Sequence, residues 1–385
     1  MNKKSILHVA NIYFVLPYFI GDQFMYFNEK GYKIHVICSP SEEILQYSQK
    51  MNFKYSEVPI LRSFSLYQDI KSIVAVCKYI KKNKIDIVCG HTPKGALIAM
   101  LASFLMRVKV RIYIRHGILY ETSSGLKKCF LMLIERLTSF LSTSVVAVSQ
   151  SIFDRSLDDR LTKENKLTVL NNGSCNGINS QKFSKDSINT EILNSIKKKY
   201  KLNDESYVVG YSGRLVKDKG ISELVNSFEE LQMKYDNLYL LLVGMPEERD
   251  TLPKKIVNKI NTNNHIIATG YVDYEMIKYY YAMMNLFVLP SYREGLPTSV
   301  LEASSMEIPV ITSRATGCID SIIESKTGIF VNQNNPKELT QAINFFFMNP
   351  ELAIEYGKNG REFVSKKFEQ ESVWNSLEDL YKTNS

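Results

Sequence analysis

The chain of 385 residues is long enough for two domains. Apolar residues make up 45% of it and charged residues 23%, which is typical of a globular protein and excludes a disordered or collagen-like chain. No stretch reaches the run of about 18 apolar residues that a membrane-spanning helix needs.

The first 21 residues combine two lysines with an apolar run, which imitates a secretory signal peptide. His8, Asn11 and Pro17 interrupt that run, and a buried first strand is the favoured interpretation. The six cysteines form no Cys-x-x-Cys pair, and four of them lie in apolar runs. This pattern predicts reduced, buried thiols and a cytoplasmic protein, and it argues against a zinc site.

The net charge of +8 is unevenly distributed. Residues 1–185 hold 26 Lys and Arg against 13 Asp and Glu, whereas residues 186–385 hold 22 against 27. A basic first half indicates an anionic surface or ligand, with a solvated lysine-rich surface as the alternative. Residues 125–141 are amphipathic with two lysines near their start, and such segments can lie flat in a membrane interface.

Short β-branched runs alternate with longer amphipathic segments along the first half. The segment 67–84 is a predicted helix, in which Ile70, Ile73, Val74, Cys77 and Ile80 recur at helical spacing. Strands that are apolar throughout are typical of a parallel sheet covered on both faces. The predicted strands are 6–11, 33–39, 55–60, 86–91, 110–117, 144–149 and 166–173.

A polar, lysine-rich stretch at 179–206 predicts a linker with a surface helix, and the alternation then restarts. The second set of predicted strands is 207–215, 238–244, 265–272, 286–291, 309–315 and 328–332. We therefore expect an α/β protein with two doubly wound, Rossmann-like domains facing each other across a cleft. The predicted domains are 1–185 and 186–365, followed by a C-terminal helix at 366–385 that packs back toward the N-terminal domain.

The densest chemical signal is "SYREGLPTSVLEASSMEIPVITSRATG" at 291–317. Glu294 and Glu302 stand eight positions apart, with Glu294 in a loop after a strand and Glu302 in the helix that follows. Pro297 suits the first position of that helix. The free amides of Thr298, Ser299 and Val300 would then bind an anion such as a diphosphate, and carboxylates suit the hydroxyls of a sugar or ribose. An ordinary exposed helical glutamate is the alternative for Glu302.

A second signal is "GYSGRLVKDKG" at 210–220, in which Gly213 and Arg214 end a strand and Lys219 precedes a helix. Arg214 offers a planar fork and Lys219 a point charge for phosphate, with a basic surface loop as the alternative. His116 follows another strand, as do His91 and Lys94 in "CGHTPKGA". Glu247, after a further strand, is either a base or ribose contact or a solvated side chain.

Together these motifs resemble the retaining glycosyltransferases of the GT-B fold, often called group 1 or family 4. The resemblance covers essentially the whole chain and is strongest over 205–335. "HTPKGA" with "RHG" is also similar to bacterial enzymes of capsule, O-antigen or other lipid-linked glycans. One departure is the loop after the first strand, which has only Gly21 where many members have a Gly-Gly pair; the roles of Gly21 and Asp22 are left open.

The resemblance implies roles for individual residues. Arg214 and Lys219 resemble the pair that holds the donor diphosphate, Glu294 the contact to the transferred sugar, and Glu302 the ligand of the ribose hydroxyls. His116 is similar to a histidine that lines the reacting centre, so that the catalytic set is His116, Glu294, Arg214 and Lys219. The donor-binding set implied is Gly213, Arg214, Lys219, Glu294, Gly295, Leu296, Pro297, Thr298, Ser299 and Glu302.

The implied activity is hexosyl transfer, with retention, from a nucleoside diphosphate sugar, with UDP-sugars favoured, to a glycan or polyprenyl-diphosphate-linked sugar. No Asp-x-Asp motif is present for a divalent metal, so we expect no metal and no cofactor, and cations and amides would stabilise the leaving diphosphate. We expect no nucleic-acid partner, and a peripheral position on the cytoplasmic face of the cell membrane. The alternatives are a nucleotide-sugar epimerase and a non-catalytic nucleotide-sugar sensor.

Overall fold

The computed structural model describes residues 4–247 and 250–383, and the chain forms two compact units. The first unit runs to Gly177 and includes the segment from Gln370 onward, and the second spans Ile178–Glu369. The boundary thus lies eight residues before the predicted one at 185. Ile178 donates its N–H to the Phe368 carbonyl at 2.7 Å, so the segment after Gly177 is tied to the second unit.

The first unit is built on seven parallel strands in the order β3-β2-β1-β4-β5-β6-β7. Every strand predicted from the sequence is present, although most are shorter at their ends. The strands are β1 Ser5–Val9, β2 Lys33–Cys38, β3 Lys54–Glu57, β4 Ile87–Gly90, β5 Val110–Arg115, β6 Ser144–Ala147 and β7 Leu167–Val169.

Helices cover both faces of this sheet, as continuous burial of its central strands requires. The helix α5 is buried along most of its length, whereas α4 and α6 are amphipathic. The helices are α1 Val15–Phe19, α2 Gln23–Glu29, α3 Ile44–Lys50, α4 Leu66–Asn83, α5 Pro93–Leu105, α6 Gly125–Leu141 and α7 Gln150–Asp158.

The second unit has six parallel strands in the order β10-β9-β8-β11-β12-β13, the Rossmann order with its reversal between β8 and β11. Its strands are β8 Tyr207–Ser212, β9 Leu238–Val243, β10 Ile266–Ala268, β11 Leu286–Leu289, β12 Val310–Ser313 and β13 Gly328–Val331. Its helices are α8 Thr190–Lys199, α9 Ile221–Gln232, α10 Lys254–Thr262, α11 Ile277–Tyr281, α12 Thr298–Ser305, α13 Pro336–Met348 and α14 Pro350–Lys367.

The last helix, α15 (Gln370–Thr383), packs within the first unit. Trp374 donates from its indole to Asn176 at 3.0 Å, and Lys30 pairs with Glu378 at 2.7 Å. Because α15 is acidic and belongs to this unit, the charge contrast is weaker than the sequence halves indicate. The first unit holds 25 Lys and Arg against 16 Asp and Glu, and the second 23 against 24.

In the first unit one expectation about burial is wrong, and one helical stripe of apolar residues is only partly buried. Cys129, placed in an apolar run, is exposed on α6. Ile70 and Val74 of α4 are 55% and 46% exposed, because that helix turns Ser72, Val76 and Ile80 into the core instead. Apolar side chains are therefore left on the surface of both helices.

Candidate active site

The two strongest motifs follow neighbouring strands of the second unit. The segment from Gly213 to Lys219 leaves β8, and the segment from Ser291 to Pro297 leaves β11. These two strands pair in parallel, so both segments emerge at the same edge of the sheet, at the point where the strand order reverses. Open α/β sheets bind their ligands at this point.

Lys219 and Glu294 are brought together by these two loops. The Lys219 Nζ lies 2.5 Å from Glu294 Oε1, and each side chain is 14% exposed. The sequence predicted that both residues bind the donor, one through its diphosphate and the other through its sugar. In the structure each has the other as its partner, so a donor would have to replace this ion pair.

Arg214 has a different partner. Its guanidinium pairs with Glu247. The sequence had left two roles possible for Glu247, a contact to the base or ribose and a solvated side chain. Arg214 is 46% exposed, and within the described residues no contact joins it to Lys219. The two cations predicted to bind one diphosphate thus stand on the same loop, each held by its own carboxylate.

The N-terminus of α12 differs in detail from the prediction. Pro297 is the N-cap, and the helix begins at Thr298. The amide of Val300 donates to the Pro297 carbonyl at 3.1 Å, so it is not the free donor that the sequence predicted. Among the described residues the amides of Thr298 and Ser299 have no acceptor, which leaves two donors for an anion.

The loop before α12 is fixed by a close approach of Gly317. Gly317 has φ +80°, and a Cβ on it would lie 2.3 Å from the Gly295 carbonyl oxygen. The Glu294 amide also donates to the Thr316 carbonyl at 3.1 Å. The "ATG" at 315–317 therefore shapes the segment from Glu294 to Leu296, of which Gly295 and Leu296 are buried.

Glu302 lies on α12 as predicted, and its burial excludes the alternative of an ordinary exposed helical glutamate. It is 8% exposed, and the Tyr281 hydroxyl donates to its Oε2 at 2.8 Å. Burial raises the pKa of Glu302 to about 7, an effect opposed by the Tyr281 hydrogen bond and by the charge of Lys182. Within the described residues no contact joins Glu302 to Arg214, Lys219 or Glu294.

His116 stands directly after β5 in the first unit, where it continues a row of three histidines. His8 Nδ1 lies 3.0 Å from His91 Nε2, and His91 Nδ1 lies 3.0 Å from His116 Nε2. The Cys175 thiol donates to the Phe19 carbonyl at 3.3 Å, and its Sγ lies 3.6 Å from His116 Nδ1. Both ring nitrogens of His116 therefore have protein partners.

Burial lowers the pKa of His116 to about 4 and that of His8 to about 3. Because the only thiol hydrogen of Cys175 goes to Phe19, the Nδ1–H of His116 donates to the sulfur. Its Nε2 then accepts from the His91 Nδ1–H. A neutral His116 with both ring nitrogens hydrogen-bonded is poorly suited to proton transfer.

Two family models cover the chain in succession. Residues 23–174 match the family described as Glycosyltransferase Family 4, and residues 194–363 match Glycosyl transferases group 1. The capsular polysaccharide biosynthesis glycosyltransferase CapM of Staphylococcus aureus is 33% identical over 384 residues, covering 100% of this chain and 98% of that protein. The chain belongs to the family 4, group 1 glycosyltransferases.

One further relative and one solved structure are similar to this glycosyltransferase over nearly its whole length. The UDP-Gal:alpha-D-GlcNAc-diphosphoundecaprenol alpha-1,3-galactosyltransferase of Escherichia coli is 23% identical over 394 residues, covering 99% of this chain and 97% of that enzyme. The Anabaena protein Alr3699/HepE, solved with UDP-glucose, superposes with a TM-score of 0.81 at 16% identity, covering 98% and 99% of the two chains. The fold is thus that of the GT-B glycosyltransferases.

Several partners of the predicted site residues in this glycosyltransferase were not found from the sequence. Tyr281 holds Glu302, and His8 and His91 support His116. His91 was noticed only as a strand-end residue, and the adjacency of β1 and β4 is what joins it to His8. Tyr281 stands in the aromatic run before β11, a run that indicates core packing and carries no sign of a carboxylate partner.

Within the part of the chain that the structure describes, no three His, Cys, Asp or Glu side chains are grouped to hold a metal ion. No described helix is long and apolar enough to cross a membrane.

Proposed function

We propose that this enzyme transfers a hexosyl group, with retention, from a UDP-sugar to a lipid-linked glycan in surface polysaccharide synthesis. The observation that carries the proposal is the Lys219–Glu294 ion pair between the loops that follow β8 and β11, at the strand reversal. The functions of two relatives support the acceptor class, since one serves capsule synthesis and the other uses a diphosphoundecaprenol-linked sugar. The UDP-glucose bound to the Anabaena protein supports the donor class.

The chemistry follows from the charges at this site. Loss of the nucleoside diphosphate leaves an anion, which Lys219, Arg214 and the amides of Thr298 and Ser299 are placed to stabilise. When the diphosphate pairs with Lys219, the Glu294 carboxylate loses its ion-pair partner and can accept hydrogen bonds from the sugar hydroxyls. The departing phosphate can accept the proton of the attacking hydroxyl, so a neutral His116 is no obstacle to the reaction.

A labelled-donor assay separates this function from its alternatives. The enzyme is incubated with labelled UDP-, GDP- and dTDP-sugars and a polyprenyl-diphosphate sugar, after a thermal-shift screen has selected the donor that raises the melting temperature. Label in the lipid phase supports transfer. An isomerised nucleotide sugar identifies an epimerase, and a thermal shift without turnover identifies a sensor.

We expect transfer to survive EDTA, because the diphosphate charge is met by two cations and two helix amides. Activity is measured before and after chelation, with calcium-saturated EDTA as the control for ionic strength. Loss of activity that Mn²⁺ or Mg²⁺ restores contradicts this expectation.

The same proposal places the first unit on an anionic membrane surface. The helix α6 keeps Leu131, Glu135 and Ser139 inside and turns an apolar stripe outward, with Lys127 and Lys128 at its start. Phe64 extends this stripe, because its ring packs edge-on against Phe130 at 5.1 Å. The exposed residues of this apolar face are Phe64, Leu126, Phe130, Leu133, Leu137 and Phe140.

Charge complementarity favours an acidic lipid surface as the occupant of the apolar face. The first unit has nine more basic than acidic residues, and each cation near anionic lipids contributes about 1 kcal/mol. Leu126 is 90% exposed and Leu133 62%, so their insertion would remove much apolar area from water.

We expect the enzyme to float with anionic vesicles at low salt, and Leu126→Glu with Leu133→Glu to lower the bound fraction at least tenfold. Ile354→Glu, at an exposed apolar position of the second unit, is the matched control and should float like the wild type. Equal flotation with neutral and anionic vesicles, or none with either, rejects the docking surface and favours a soluble acceptor.

A further inference from the structure

The loops after β8 and β11 are pressed together along their backbones. The Tyr292 amide donates to the Asp218 carbonyl at 2.8 Å, and the Ser291 hydroxyl donates to the same oxygen at 3.2 Å. Gly220 has φ +70°, and a Cβ on it would lie 2.1 Å from the Pro290 carbonyl oxygen. The two loops therefore have little freedom to separate or slide.

Two ion pairs cross this junction side by side. Lys219 of the first loop pairs with Glu294 of the second. The adjacent residues pair with the charges exchanged between the loops, with Arg293 Nη2 2.9 Å from Asp218 Oδ2. Asp218 and Arg293 are 18% and 26% exposed, so solvent screens this pair only in part. The Asp218 amide also donates to Asp250 Oδ2 at 3.0 Å, which fixes the backbone of the residue that carries the acidic charge.

A donor affects these two pairs differently. Under the proposed function its diphosphate binds Lys219 and its sugar binds Glu294, so the Lys219–Glu294 pair separates when the donor arrives. The Asp218–Arg293 pair has neither of these roles and stays closed. Once the Lys219–Glu294 pair has opened, Asp218–Arg293 is the side-chain ion pair that remains between the two loops within the described residues.

We infer that Asp218 and Arg293 are positioning residues that keep Lys219 and Glu294 at donor-binding distance after their own ion pair has opened. This inference rests on the proposed function. It means that the acidic side chain of Asp218, next to the anion-binding Lys219, favours the binding of an anion. Simple electrostatics predicts the opposite, because a carboxylate beside a diphosphate repels it.

The test measures donor affinity in Asp218→Asn, Arg293→Gln and the double variant, by calorimetry with the donor that the wild type uses. We expect each single change to weaken donor binding about tenfold, and the double variant to be no weaker than either single one, because both break the same contact. Arg293→Lys should recover part of the affinity. Asp204→Asn, at a fully exposed acid of the same unit, is the matched control and should bind like the wild type.

Each other outcome overturns the inference. Tighter binding by Asp218→Asn means that only the local field matters, and a lower melting temperature with unchanged donor affinity means that the pair is merely structural. If one variant fails to fold, its partner variant gives the same comparison. The Lys219→Ala variant distinguishes a failure of the proposed function from a failure of the positioning role. Unchanged donor affinity in Lys219→Ala contradicts the proposed function. Loss of donor affinity in Lys219→Ala, with wild-type affinity in Asp218→Asn, contradicts the positioning role alone.

Discussion

Lys219→Ala and Arg214→Ala should each lower the rate of sugar transfer by at least 10²-fold. A charged donor that acts on a leaving group in a protected site contributes roughly 2.7–4 kcal/mol to the transition state, which corresponds to this factor. Lys219 is only 14% exposed and pairs with Glu294 in the loop before α12, so water replaces its charge poorly. The rates are measured at saturating acceptor with the donor selected by thermal shift.

Lys217→Ala is the matched control for this experiment. Lys217 lies on the same loop and is exposed, so its replacement should change the rate by less than about threefold. Wild-type turnover in Lys219→Ala or in Arg214→Ala would show that the role assigned to that residue is wrong. An equal loss in Lys217→Ala would show that the loop acts only through its total charge.

Glu302→Gln should abolish tight donor binding and at the same time stabilise the folded enzyme at pH 8. Burial raises the pKa of Glu302 from 4.5 to about 7, so the folded state holds this proton more strongly than the unfolded state. Stability from this group is therefore full below pH 4.5 and is lost as the pH rises through 7. Removal of the buried charge should stabilise the folded state by roughly 3 kcal/mol above pH 8.

Glutamine suits this test because its amide oxygen can still accept from the Tyr281 hydroxyl, so the packing around position 302 is retained. Melting temperatures are compared at pH 5 and pH 8, and the gain should be much larger at pH 8 than at pH 5. Glu355→Gln, at an exposed position of α14, is the control and should show no such difference. A variant that keeps wild-type donor affinity would remove Glu302 from the ribose site and leave it as a core residue.

The sequence was a good guide to whatever depends on local pattern. Every predicted strand is present, because short runs rich in β-branched residues, as at β1, β4 and β5, are a local signal of buried strands. The position of Glu294 after β11 and of Glu302 within α12 followed from the proline that precedes the helix. The surface helix at α8 also followed from its polar composition, and none of its residues is buried.

The sequence was a poor guide to contacts between distant segments. His8 and His91 are 83 positions apart, and only the parallel pairing of β1 with β4 brings them together. The burial of Glu302 depends on Tyr281 of another helix, and a glutamate in an amphipathic helix gives no sign of such a partner. Likewise the helical spacing within α4 identified a stripe of apolar residues but did not show which face of the helix packs against the core.

The most direct test of the central claim is a time-resolved NMR measurement of the reaction with the selected α-linked UDP-sugar and a polyprenyl-diphosphate sugar. We expect release of one UDP for each sugar transferred and an anomeric coupling in the product that matches the α configuration of the donor. A β-linked product, an isomerised donor, or a donor that binds and stays intact beside the acceptor would contradict the central claim.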